Sequence, residues 1–313
     1  MSANGRGTKE APFVSVIMNC YNSEQYLREA IDSVYAQTYQ NWEIIFWDNA
    51  STDSSAAIAK SYDSRLKYHS GTETVPLGAA RNKAIEKASG ELIAFLDCDD
   101  LWYPEKLEKQ VPLFKDTEVS LVYCDTLFFN SNGYRKRLYS GTKAYTGYCF
   151  SRLLSRYFLS METIILRKES LKNLDYWFDE RFNMIEEADL FRRVAMTGKL
   201  AMVDEVLSMW RIHSNSWTWK KTELVWIETR MMLETYGRKY EDFFKRYAKE
   251  VEILTEGIVR EEAVFLIKNG DIEKARQKLK ANHSSFKNRL LYFSLLLPES
   301  WRISLLRLKG KIL

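Results

Sequence analysis

The first hundred residues set four apolar runs against polar stops, and that punctuation constrains the fold more than any other feature. Phe13 to Met18 runs into Asn19-Cys20-Tyr21-Asn22, and Trp42 to Trp47 stops at Asp48-Asn49. Leu66 to His69 is a weaker run, and Glu91 to Leu96 ends on Asp97. Helical spacing fills the gaps between them. Leu27, Ala30, Ile31 and Val34 follow the N-cap candidates Asn22 and Ser23. Ser51, Thr52 and Asp53 precede a helix carrying Ile58, and Gly78 to Ala88 reads as a helix with Gly90 as its C-cap. Pro104 opens a further helix towards Phe114. Alternating strands and helices predict an α/β fold with a mostly parallel sheet and right-handed crossovers. Ligands of such sheets bind beyond the carboxyl ends of the strands, where three of these polar stops fall.

From Val119 the pattern changes. Val119 to Phe129 reads as a strand followed by an Asn132-Gly133 hairpin turn, and Met161 to Leu166 as another strand. Ile185 to Thr197 reads as a helix and Ala201 to Ile212 as a strand. Beyond Trp217 the chain reads as helical, with a Gly-Asp turn between two helices in Glu261 to Leu279. We expect a flexible tail over 1–12, a first domain over 13–220 and a helical region over 221–313.

Composition removes several function classes. The chain has 313 residues, 46% of them hydrophobic, enough to bury a core. A net charge of +4 is too small for a dedicated nucleic-acid binder. No apolar run approaches the ~20 residues of a membrane span, and the polar start MSANGRGTKEAP lacks the apolar core of a signal peptide. Four scattered cysteines without a CxxC spacing argue against a zinc ribbon or a disulfide scaffold. The expected location is therefore the cytoplasm. The positive charge belongs to the end of the chain. From His283 on, Lys287, Arg289, Arg302, Arg307, Lys309 and Lys311 stand against Glu299, a local balance of +5. Residues 288–313 mix these cations with Leu, Ile, Phe and Trp. That pattern suits an amphipathic helix on an anionic membrane surface, or apolar positions packed on the catalytic domain or on a second copy in a homo-oligomer.

The sharpest chemical signal is LIAFLDCDDLW, in which an apolar strand delivers Asp97, Asp99 and Asp100 within four positions. Clustered carboxylates suit a hard cation such as Mg2+ or Mn2+ shared with a phosphate-bearing substrate; a helix N-cap cluster ahead of Pro104 is the structural alternative. No P-loop and no GxGxxG follows the first strand, which disfavours nucleotide hydrolysis of that type and dinucleotide redox chemistry. NCYNSEQYL also lacks the Gly-rich, Arg-containing loop of a sugar nucleotidyltransferase.

Six motifs, in order, resemble the family 2 glycosyltransferases of GT-A fold: VSVIMNCYN (14–22), IIFWDNASTDSS (44–55), GAARNKAI (78–85), FLDCDDLW (95–102), IEEADLFRRV (185–194) and WRIHSNS (210–216). The resemblance implies a nucleotide-binding half over 13–100 and an acceptor half over 101–220. It implies transfer of a sugar, with inversion, from a UDP- or dTDP-sugar to a hydroxyl of a growing glycan. Polysaccharide or lipid-linked glycan synthesis at the cytoplasmic membrane face is the implied setting. It places Tyr21 against the base, Asn19 beside it, Asp48 on base or ribose, and Arg81 near the diphosphate. Asp97 and Asp99 form the DxD, with Asp99 the metal ligand, and His213 approaches the diphosphate or the Mn2+ or Mg2+ ion. Glu187 falls at the catalytic base, with Glu186 and Asp189 as alternatives. Trp102 is a candidate sugar-stacking face. Two departures stand out: Asn49 where relatives often carry a second acid, and Glu rather than Asp at 187. The second keeps a catalytically silent nucleotide- or carbohydrate-binding module as the alternative function. Taken singly, each residue also has an ordinary explanation: Tyr21 as packing, Asp48 as a cap, Arg81 as a solvated charge, and Glu187 in surface pairing.

Overall fold

The computed structural model describes residues 11–214, 221–282 and 285–296. Residues 1–10 of the expected tail and the basic stretch beyond Leu296 lie outside the described residues, while Ala11 and Pro12 are tied to the fold by Asn41 and Tyr39, which donate to their carbonyl oxygens. In the first half, strands and helices alternate as β1 (Val14–Cys20), α1 (Glu24–Tyr35), β2 (Trp42–Asp48), α2 (Ser55–Lys60), β3 (Leu66–Ser70), α3 (Leu77–Lys87) and β4 (Leu92–Phe95). There follow β5 (Leu101–Trp102), α4 (Lys106–Gln110), β6 (Val119–Phe129), β7 (Arg135–Arg137), α5 (Phe150–Ser155), β8 (Ile165–Arg167), α6 (Glu186–Ala195) and β9 (Lys199–Arg211).

The sheet runs in the order β3-β2-β1-β4-β8-β6-β9-β5, with β7 paired to β6. It is parallel through β3-β2-β1-β4. Beyond β4 it is mixed, because β8 enters antiparallel to both β4 and β6 while β6 and β9 are parallel. Met161 to Leu166 is therefore not one strand. Met161–Thr163 is a 3-10 turn that buries Glu162 and Thr163, and the strand begins only at Ile165.

Strand alternation sorts the side chains onto two faces. Val16 and Met18 of β1 and Ile44 and Phe46 of β2 meet Leu27, Ala30, Ile31 and Val34, the fully buried stripe of α1. Each such Leu, Ile or Val contributes about 1.5–3 kcal/mol by leaving water. On β4, Phe95 meets the rings of Phe178 and of Phe191 on α6 at 5.9 and 6.0 Å. The same parity sends Asn19 to the face of Ile17.

Gly90 does not cap α3, whose C-cap is the extended Ala88. Glycine is required at position 90 by close approach. A Cβ there would lie 2.6 Å from Ser15 N and 2.7 Å from Phe13 O, where the chain enters β1.

A second unit comprises residues 151–157 and the chain from 217 onward. Its described helices are α7 (Thr222–Lys239), α8 (Phe243–Arg246), α9 (Ala248–Lys268), α10 (Ile272–Ala281) and α11 (Phe286–Ser294). Val259, Ala263, Ala275, Leu279 and Leu295 form a core among α9, α10 and the end of α11. Gly270, at φ +83°, makes the α9–α10 turn that the Gly-Asp pair predicts. Among the described residues no helix is long and apolar enough to cross a membrane.

Because the atoms facing Gly90 are backbone and cannot rotate away, Gly90→Ala is expected to lower stability by about 1–3 kcal/mol. Urea unfolding monitored by circular dichroism measures this directly.

Candidate active site

The pairing Cys20↔Asp48 in β1–β2, and Ile17↔Phe95 in β1–β4, brings the polar ends of three strands to one edge. Two loops there are laced together: Asn22 N donates to Ser51 Oγ (3.0 Å), and Thr52 N donates to Asn22 Oδ1 (2.8 Å). Asn22 and Ala50 both take the left-handed region, at φ 50° and 64°. Such strain costs an L-residue about 1–3 kcal/mol and gathers at functional edges.

Tyr21 is exposed at this edge. Asn19 Nδ2 is buried without a hydrogen-bond partner among the described residues. Asp48 is enclosed; its Oδ1 accepts from Ser51 N (2.8 Å) and its Oδ2 from Tyr68 OH (2.7 Å). Burial, then that hydrogen bond, pushes the Tyr68 phenol up to about 12. Asn49 explains its own departure from an acid. Its Nδ2 donates to Val75 O (2.8 Å) while its Oδ1 accepts from Val75 N (3.1 Å). A carboxylate cannot make the first of these bonds.

Trp102 is a correction to the sequence reading. It is buried, its Nε1 donates to Glu162 O (2.8 Å), and Lys106 Nζ lies over its ring at 4.4 Å. It is a core residue with no face open to a sugar, because β5 pairs with β9 and turns the indole inward.

The carboxylates meet around Arg81. This α3 side chain is buried, pairs with Glu186 of α6, and donates from Nη2 to Asp97 Oδ1 at 3.0 Å. Coulombic attraction to Asp97 and the two glutamates outweighs burial and holds the guanidinium above its ordinary pKa. The helix is fixed in place by Asn82, whose amide exchanges two 3.0 Å hydrogen bonds with the Phe178 backbone. On α6, Asp189 is fully buried against Arg193 (2.6 Å), and Arg193 Nη1 donates to Tyr176 O (2.6 Å). Of the three acids considered for the base, Glu186 and Asp189 are thus each tied to a buried arginine. Glu187 is partly buried. Burial, then repulsion from Glu186, pushes its carboxyl up to about 8 against the pull of Arg81.

Opposite these, His213 Nε2 lies 2.8 Å from Asp99 Oδ2. Burial, followed by Asp97, raises the Asp99 carboxyl, and His213 opposes the shift. Arg211 fixes this pair, a role that the sequence reading did not assign. Its Nε donates to Asp99 O (2.9 Å), its N to Asp100 Oδ1 (2.9 Å) and its Nη2 to Glu29 (2.9 Å), and its guanidinium lies 4.3 Å from the Tyr26 ring centre. The alternation in WRIH, which puts Arg211 and His213 on the same side of an extended chain, was the available signal. Asp100 is buried and turned to this strand, not to the edge. Among the described residues no three His, Cys, Asp or Glu side chains converge on one point. Asp99 and His213 offer one oxygen and one nitrogen, a donor set that fits Mn2+ or Mg2+ only with phosphate oxygens completing the shell.

Two expectations follow from this electrostatic arrangement. Asn49→Asp loses the bond to Val75 O and sets a carboxylate against that carbonyl; urea unfolding at neutral pH should show a loss of about 1–3 kcal/mol. For Glu187, the folded state holds a proton up to about pH 8 that the unfolded chain releases near 4.5. Stability from this group therefore falls as pH rises between those values. Glu187→Gln should be more stable than the native chain above pH 8, and the gap should close near pH 5 in thermal melts.

The comparisons agree with this architecture. The model of glycosyl transferase family 2 matches residues 15–178. An uncharacterized glycosyltransferase of Rickettsia typhi is 30% identical over 277 residues, covering 84% of this chain and 82% of the relative. WfgD of Escherichia coli, a UDP-Glc:alpha-D-GlcNAc-diphosphoundecaprenol beta-1,3-glucosyltransferase, is 32% identical over 166 residues, covering 53% of this chain and 64% of WfgD. Two solved structures share the fold. Staphylococcus aureus TarS 1-349 with UDP-GlcNAc has a TM-score of 0.64 at 22% identity, covering 92% of this chain and 82% of the 1-349 chain. The mannosyltransferase PcManGT of Pyrobaculum calidifontis, with GDP-Man and Mn2+, has a TM-score of 0.63 at 19% identity, covering 94% and 83%. A matched family model over half the chain, on a fold of this topology, makes the protein a member of glycosyltransferase family 2.

Proposed function

We propose that the protein is an inverting, metal-dependent transferase that moves a sugar from a UDP- or dTDP-sugar to a hydroxyl of a lipid-linked or surface glycan at the cytoplasmic membrane face. The observation that carries the mechanism is the division of labour among the acids around Arg81. With Glu186 and Asp189 each bound to a buried arginine, Glu187 is the carboxylate left to act as base.

In this reading Tyr21 stacks on the base, with Asn19 and Asp48 as polar partners beneath it. Asn19 Nδ2, buried and unpaired among the described residues, gains an acceptor when the nucleotide binds. Arg81 and Asp97 line the diphosphate side. Asp99 and His213 would hold a divalent cation together with the donor phosphates, and that ion would supply Lewis-acid stabilisation to the departing nucleoside diphosphate. Glu187 takes the proton from the acceptor hydroxyl as its oxygen attacks the anomeric carbon from the side opposite the leaving group. One displacement inverts that carbon, and no second carboxylate is assigned as a nucleophile. The acceptor class is supported by the name of WfgD, whose acceptor is a diphosphoundecaprenol-linked sugar.

Thermal shifts with UDP, dTDP and GDP, with and without Mn2+, test donor binding; a nucleotide that binds the folded chain raises its melting temperature. Glu187→Gln should retain that shift and lose about 10²–10⁴-fold in transfer rate. Asp99→Asn should lose the Mn2+-dependent part of the shift. The base must be ionised, so kcat/KM should rise with pH to a limb near 8, from the raised Glu187 carboxyl. A nucleotide shift without any turnover at pH 8 would return the silent binding module.

A further inference from the structure

Helix α11 carries two faces of different kind. Its inner face is built from Asn288, Leu291, Tyr292 and, just past its end, Leu295. Asn288 is fully buried, donating from Nδ2 to Glu256 O (3.1 Å) and accepting at Oδ1 from Arg260 (3.2 Å). Leu295 closes the core with α9 and α10. The opposite face is apolar as well. Phe286, Leu290 and Phe293, spaced by four and three residues, stand 71%, 44% and 58% exposed, and Leu296 beyond them 53%. This spacing aligns them as one stripe on a helix. Isolated exposed apolar residues are ordinary, whereas residues aligned in one exposed stripe form the kind of contiguous apolar patch that marks interaction sites.

The charges beside the stripe select its occupant. Lys287 and Arg289 flank it and are exposed. No acidic residue occurs from His283 to Pro298, and the chain beyond adds Arg302, Arg307, Lys309 and Lys311 against Glu299. A protein groove would be expected to pair an apolar stripe with mixed charges at its rim. One sign of charge on both flanks of a shallow apolar ridge fits a surface with anionic headgroups over hydrocarbon. We infer that the outer face of α11 is a membrane-contact surface, with Phe286, Leu290 and Phe293 entering the acyl boundary of an anionic bilayer and Lys287 and Arg289 resting among the phosphates. The inference deepens the membrane placement proposed above and rests on it only for the setting, not for the chemistry at Glu187.

Flotation of the full chain with phosphatidylglycerol–phosphatidylcholine vesicles, and with phosphatidylcholine alone, tests this. The native chain should float with the anionic vesicles and lose most binding on the neutral ones or in high salt. Phe286→Ser with Phe293→Ser should weaken binding at least about tenfold, and Lys287→Glu with Arg289→Glu should do the same while leaving the apolar stripe intact. Both variants should keep the native melting temperature and the nucleotide-induced shift, since all four side chains are exposed. Native-like flotation of both variants overturns α11 as the contact. No flotation of the native chain overturns the membrane placement as well, while leaving nucleotide binding and transfer to stand on their own assays. A native dimer that Phe293→Ser converts to a monomer, with no flotation, assigns the stripe to a second copy and overturns the inference.

Discussion

The buried guanidinium of Arg81 is the interaction on which the site depends. It joins three segments distant in sequence: its own helix α3, Asp97 sixteen residues on in the loop after β4, and Glu186 105 residues on at the start of α6. A charge this deep is tolerated only when paired, and removing one partner of a buried pair costs about 3–5 kcal/mol. Arg81 therefore holds the start of α6 against the loop that follows β4 as a condition of folding.

The site inherits its electrostatics from that arrangement. A helix beginning Glu-Glu-Ala-Asp brings three acids into its first turn, and low dielectric makes their mutual repulsion severe. Arginines answer two of them. The third, Glu187, keeps a carboxyl that burial and then repulsion from Glu186 hold up to about 8, which opposes stability at high pH. The Asp99–His213 pair is fixed by Arg211, which binds the Asp99 carbonyl and, through its own N–H, Asp100. Arginines thus hold Glu186, Asp189 and the Asp99 backbone, while Glu187 has none bonded to it among the described contacts.

Much of the fold was legible where periodicity was strong and local. The stripe of Leu27, Ala30, Ile31 and Val34 marked α1, and Val119 to Phe129 marked β6 to the residue. What failed depended on distant partners. β8 begins late because Glu162 and Thr163 take a buried polar turn beneath Trp102. Gly90 is needed for the backbone of Phe13 and Ser15, a neighbour no local pattern reports. Trp102 reads equally as a sugar platform or a core residue until its strand pairing is known. The candidate acids were recognisable as a set from their ordered motifs, but the division among Glu186, Glu187 and Asp189 was not, since adjacent acids on one helix differ only in which arginine reaches them. Arg81 itself reads as a solvated helix charge, and only its counter-charges make it a buried one.

The most direct test of this account is a double-mutant cycle on folding stability between Arg81→Met and Glu186→Gln. If the guanidinium joins α3 to α6 as described, the two effects are strongly non-additive, with a coupling of roughly 1–3 kcal/mol in urea unfolding. Effects that add to within about 0.5 kcal/mol would contradict it, and with it the assignment of Glu187 as the acid left to act.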